Sequence, residues 1–140
     1  MLFRSTSKMP VVGMAQRGGK IKAKVVQTRK LDTRTLASLV RANIDTANAM
    51  LITDEYTGYI GIAKFMPHEV VNHKVWYVDN HRHTNTLENF WSLLKRGITG
   101  QYHKVSVKHL HQYIDEFCYR HNHRNHIDLF GLTISRGLGV

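Results

Sequence analysis

The chain has 140 residues, 42% of them apolar, so it is long enough for one domain with a real core and too apolar for a disordered tail. Lys and Arg number 20 against 10 Asp and Glu, a formal net charge of +10, which favours a polyanionic partner, nucleic acid being the usual one. One cysteine, Cys118, excludes an internal disulfide and a Cys-x-x-Cys zinc site, and no apolar stretch approaches the ~20 residues that span a bilayer.

The N-terminus lacks a signal-peptide apolar region, so a cytoplasmic protein in a reducing setting is expected. Basic residues crowd the front of the chain: Asp32 is the first acid, preceded by Arg4, Lys8, Arg17, Lys20, Lys22, Lys24, Arg29 and Lys30. Residues 1–9 are read as an unassigned tail. Pro10 to Gln16 reads as a strand, Arg17-Gly18-Gly19 as a turn and Lys20 to Val26 as the returning strand. In that strand Ile21, Ala23 and Val25 alternate with Lys20, Lys22 and Lys24, giving one apolar face and one row of ammonium groups.

Asp32 or Thr33 can cap a helix carrying Leu36, Leu39, Val40 and Ile44. Ala49 to Thr53 is a short apolar run that suits a strand buried on both faces, ending at Asp54. Residues 69–72 and 76–78 could supply another strand. Thr84 to Arg96 then reads as a helix whose apolar stripe is Leu87, Phe90, Trp91 and Leu94. Phe90 and Trp91 are read as core, not as a base-stacking platform. Gly97 to Gly100 is expected to break the chain, and Ser106 to cap a last helix burying Leu110, Tyr113, Ile114, Phe117 and Cys118. From His121 onward the polar tail is expected to be loop. Hairpin, helix, buried strand and further helices together make a mixed α/β layer fold.

Two carboxylates stand out. Asp54 ends an apolar strand, and open α/β sheets bind ligands just outside strand ends. Glu88 and Lys95 are seven residues apart, which on a helix returns the second side chain to within roughly 20° of the first. Taken singly, Asp54 is an ordinary turn residue and Glu88 a solvated helix position. Together, on a basic chain, they suggest metal-dependent phosphoryl chemistry on DNA or RNA, with hard oxygen donors suited to Mg²⁺ or Mn²⁺.

Asp54, Glu88 and Lys95 in that order resemble the second and third acids and the lysine of DDE transposases and integrases. The wording is closer to one group, the ISXO-like transposase domain of bacterial and archaeal insertion sequences. The matching segments are Pro10 to Met14, Thr53 to Tyr59, His68 to His73, Tyr77-Val78, His83 to Glu88 with Lys95-Arg96-Gly97, Tyr102 to Ser106, Lys108 to Leu110, and Tyr113 to Arg120 with Asn122 and Arg124. The likeness covers residues 10–125, leaving 126–140 as a divergent tail. It implies an RNase H-like mixed sheet flanked by helices and DNA cleavage followed by strand transfer. Asp54 and Glu88 would be the metal ligands, and Lys95 would contact DNA near the cut phosphate. Arg96, the lysine row, and His83 and Asn85 of the family's signature would face DNA.

The resemblance also implies a third acid, on a first, central strand upstream of the hairpin. Residues 1–9 contain no Asp or Glu, Asp32 falls at a helix start and Asp45 in a loop. The reading is therefore of an N-terminally truncated domain with that strand missing. It would be inactive alone, nucleoid-associated, and part of a homo-oligomer or a mixed complex with an intact transposase. The competing reading is a non-catalytic basic DNA-binding protein that joins or inhibits such a complex. A zinc site built from His81, His83, His121, His123 and His126 is disfavoured, because no cysteine pair stands near and the spacing is not a finger's.

Overall fold

A strand whose alternate residues are lysine can bury only one of its faces, and the hairpin obeys this. In the computed structural model, which describes residues 2–4, 9–28, 31–71, 85–102 and 105–139, β2 (Pro10–Ala15) and β3 (Ile21–Val25) pair antiparallel. Ile21 and Ala23 are buried; Lys22 and Lys24 are exposed. Directly opposed residues share a face, so Val11, Gly13, Ala23 and Ile21 lie on one side, and Val12, Met14, Lys22 and Lys24 on the other.

Each side meets its own helices. Val11, Ile21 and Ala23 pack on Phe90, Trp91 and Leu94 of α2 (Asn85–Arg96) and on Leu110, Ile114 and Cys118 of α3 (Leu110–Asn122). Val12 and Val26 pack with Leu36 and Val40 of α1 (Thr33–Asn43), joined by Tyr59, Ile62 and Met66. The hairpin thus lies between two helical layers. Gly13 sets its distance from α2: a Cβ there would stand 2.5 Å from Trp91 Cζ2, closer than carbon atoms approach.

The N-terminus differs from the sequence reading. Leu2–Arg4 forms a strand, β1, antiparallel to β2, with Leu2 opposite Val12 and Arg4 opposite Pro10. A short strand therefore stands within the segment read as an unassigned tail. The physical reason is the open ladder edge of β2, which a short stretch pairs readily even without a sequence period of its own. The described strands form two sheets, β1-β2-β3 and the parallel pair of β4 (Leu51–Thr53) with β5 (His68–Val70). The strand read at 49–53 is shorter than expected and not buried on both faces. Leu51 and Ile52 are half-buried and only Thr53 is buried, because β4 has one strand neighbour among the described residues. The strand expected at 76–78 lies outside the described residues.

The helices follow their patterns with three exceptions. Asp32 is the cap of α1, accepting from the Thr35 N–H at 2.8 Å. On α2 the expected stripe is the buried one, with Phe90, Trp91 and Leu94 inside and Leu87 half-buried, so the two aromatics are core. The first exception follows Gly97, where the chain does not break but widens into a π-helical turn over Gly97–Tyr102. The second is Ser106, which makes no side-chain cap; its carbonyl accepts from the His109 N–H at 3.1 Å and opens a 3-10 turn leading into α3. The third is the tail. His121 and Asn122 belong to α3, and Leu129–Leu138 is a further helix, α4, capped by Asp128. The Tyr119 hydroxyl lies 3.2 Å from that of Thr133, and Arg136 Nη1 lies 3.1 Å from His123 Nε2, tying α4 to the end of α3. The loop reading followed the polar run from His121 to His126, whereas the apolar residues that build α4 begin only at Leu129.

Asn122 closes the architecture. Its Oδ1 accepts from the Ile21 N–H at 2.7 Å and its Nδ2 donates to the Ile21 carbonyl at 2.8 Å. On the outer edge of β3, this amide takes the place of a neighbouring strand.

Candidate nucleic-acid and metal-binding site

Asp54 follows the last residue of β4, and what fixes it there is a small polar knot. Thr53, 5% exposed, donates its hydroxyl to the Asp54 carbonyl at 3.0 Å and lies 2.8 Å from His68 Nε2. The hydroxyl thus links the carbonyl at the strand end to the imidazole. Parallel register makes this contact possible. His68 is opposite Leu51, and Thr53 is two residues on, facing the same way. Burial lowers the pKa of His68. The His68 ring meets the Tyr59 ring edge-on at 6.4 Å. Burial, and then the nearby Asp54 charge, raise the Tyr59 hydroxyl far above its usual range. Asp54 Oδ1 accepts a long bond from the Tyr56 N–H at 3.4 Å, and the Tyr56 hydroxyl donates to the Leu31 carbonyl at 2.9 Å, holding this turn on the start of α1.

Glu88 stands half-buried in the first turn of α2, with Lys95 and Arg96 exposed in the last turn and Asn85 exposed at the first residue. The amphipathic register that buries Phe90, Trp91 and Leu94 leaves these polar positions at the edge of the packed face and beyond it. The lysine row is elsewhere. Lys22 and Lys24 are on the α1 side of the hairpin, opposite the side that α2 covers, and Lys20 is exposed just before β3. The fold therefore does not gather the lysine row with Glu88 and Lys95 into one patch. His83 lies outside the described residues. Thr53 and His68 were not singled out in the sequence; fifteen residues apart, they meet only through strand register.

The donor set bears on the metal. Among the described residues no three His, Cys, Asp or Glu side chains converge closely enough to hold an ion. Strand β1 carries Leu, Phe and Arg, and no acid. Asp54 and Glu88 are the acids the resemblance points to, hard oxygen donors of the kind Mg²⁺ or Mn²⁺ takes, and among the described residues no further side chain joins them in a closely packed metal-binding group.

The sequence profile of the ISXO2-like transposase domain matches residues 3–122, from within β1 to the Asn122 clasp. The chain belongs to this family. An uncharacterized transposase-like protein of Haemophilus influenzae is 25% identical over 105 residues, covering 74% of this chain and 83% of that protein. No solved structure matches the chain significantly. The ISXO2-like match includes Asp54, Glu88, Lys95 and both core clusters, and stops before α4. No helix among the described residues is long and apolar enough to cross a membrane.

Proposed function

We propose that the protein acts in DNA transposition as a partial DDE transposase catalytic domain that binds DNA and is catalytically incomplete by itself. The observation that carries this reading is the transposase-family match over residues 3–122, with Asp54 ending β4 and Glu88 on the first turn of α2. In this reading the two sheets are parts of one RNase H-like sheet, with β1 occupying the position between the hairpin and β4. Asp54 and Glu88 are the retained acids, Lys95, Arg96, His83 and Asn85 face the DNA end, and Lys20, Lys22 and Lys24 meet DNA on the other side of the hairpin. Mg²⁺ or Mn²⁺ would supply Lewis-acid stabilisation at the cut phosphate, but no third acid joins these two among the described residues, so no cleavage step is assigned to the chain alone.

The alternative, a non-catalytic DNA-binding protein working within a complex of intact transposase, draws on the same basic surface. Both readings require DNA association. Fluorescence anisotropy with a labelled 30-base-pair duplex is expected to give a Kd in the range of roughly 10⁻⁴–10⁻⁶ M near physiological salt, tightening as salt falls. No association at 50 mM salt overturns the proposal.

A further inference from the structure

We propose that the outer face of α1, with the turn beside it, is a second DNA-backbone site, separate from the Asp54 and Glu88 residues. It rests on DNA being the partner and adds a place where the phosphates sit.

A groove of about 530 Å³ runs between α1 and the segment Gly61–Phe65. Arg34, Arg41 and Lys64 line it together with the hydroxyl side chains of Thr33 and Ser38, and no Asp or Glu does. Arg34, Ser38 and Arg41 follow i, i+4 and i+7, so at 100° per residue they share an arc of about 60°. The inward arc of the same helix carries Leu36 and Val40, which fixes the cationic arc outward. The two arginines are separated along the axis by about 10.5 Å, at 1.5 Å per residue, or roughly three base-pair steps of duplex.

Lys64 reaches this face because Gly61 lets its turn approach closely; a Cβ on Gly61 would stand 2.5 Å from the Thr33 methyl. The Arg41 guanidinium lies over the Phe65 ring, 4.2 Å from its centroid, which holds its plane and leaves its N–H fork available. Among the described residues none of the three cations is in an ion pair. Asp32, whose carboxylate feels Arg34, is engaged in capping α1 at Thr35. Lys22 and Lys24 belong to the same side of the hairpin as α1, so the positive field extends beyond the groove. Three cations with no ion pair among the described residues, and two hydroxyls, in a groove that no acid lines, suit successive phosphates.

The salt dependence of duplex binding tests this. Arg34→Gln, Arg41→Gln and Lys64→Gln combined remove up to three phosphate contacts. The slope of log K against log salt should become shallower by about two to three, and affinity at 0.1 M salt should fall roughly 10²–10³-fold, equally for unrelated sequences. Lys108→Gln, Arg120→Gln and Arg124→Gln, an equal loss of charge from exposed positions on the α3 side, should change the slope by less than one. Arg34→Glu alone should weaken binding more than Arg34→Gln, which keeps the argument independent of the triple variant's folding. Equal effects from the two triples, or none from the first, overturn the site while leaving DNA binding standing. No binding by the unmodified protein overturns both.

Discussion

Replacing Asn122 should unfasten the hairpin from α3. The Asn122→Ala change removes the 2.7 and 2.8 Å hydrogen bonds to Ile21, a residue only 2% exposed. Each bond is worth about 1 kcal/mol net, and a peptide group left dry and unpaired costs about 1–3 kcal/mol. Asn122 itself is half-buried, so water can reach part of the gap, and a loss of about 2–3 kcal/mol is expected. With a urea slope of about 2 kcal/mol per molar, the unfolding midpoint should fall by roughly 1–1.5 M. Asn122→Asp supplies a sharper test. Its carboxylate keeps the acceptor for the Ile21 N–H but sets a second oxygen against the Ile21 carbonyl, so only the protonated acid restores the donor. Its pKa in the folded state must then rise above the unfolded value of about 3.9. The stabilisation is complete below that unfolded value and is lost as pH rises through the folded one. Urea titrations at several pH values should show Asn122→Asp nearing the parent at pH 3.5–4 and nearing Asn122→Ala at pH 7. A pH-independent difference, or an Asn122→Ala midpoint equal to the parent's, refutes the clasp.

Gly13→Ala should cost about 1–3 kcal/mol, since its methyl meets the Trp91 ring, and Trp91 emission should shift as the ring is displaced. Thr53→Val, which removes the hydroxyl shared by His68 and Asp54, should cost about 1–2 kcal/mol by urea unfolding, whereas Thr53→Ser should retain most of it. Burial raises the Cys118 thiol, so reaction with a thiol reagent at pH 8 should be slow in the native protein and fast in urea; equal rates contradict the burial. Burial, then Arg124, lowers the His121 pKa, and the ring meets Phe90 edge-on at 5.9 Å. Because the unfolded chain takes the proton first, stability should be full above the ordinary histidine range and decline as pH falls below it. His121→Phe should flatten that decline, and an unchanged slope would count against it.

What could be read from the sequence was what has a period. Alternation gave the buried and exposed faces of β3, and the i, i+3, i+4, i+7 rule gave the buried face of α2. A cap at Asp32 or Thr33 was legible because a side-chain acceptor before an apolar period has few other uses, and the structure selects Asp32. Strand β1 was not, since three residues carry no period and form because β2 has an open edge. Nor was the Asn122 clasp, which joins residues 101 apart. Of the candidate residues, Asp54, Glu88 and Lys95 were singled out through the family resemblance, and the structure places Asp54 just after β4 and Glu88 and Lys95 on α2. The placement of the lysine row opposite α2 depends on which face of the hairpin each helix covers, a tertiary fact absent from local sequence. Arg34 and Arg41 showed helical spacing, but Lys64 joins them only through the approach at Gly61.

The claim that this is a DNA-binding transposase domain with an incomplete set of acids is tested most directly by a strand-transfer assay in Mn²⁺. Protein and Glu88→Gln are compared at concentrations where both hold DNA. The account predicts bound DNA that is neither cut nor joined by either protein. Mn²⁺-dependent cleavage by the unmodified chain, abolished by Glu88→Gln, would contradict it and show that a third ligand completes the site.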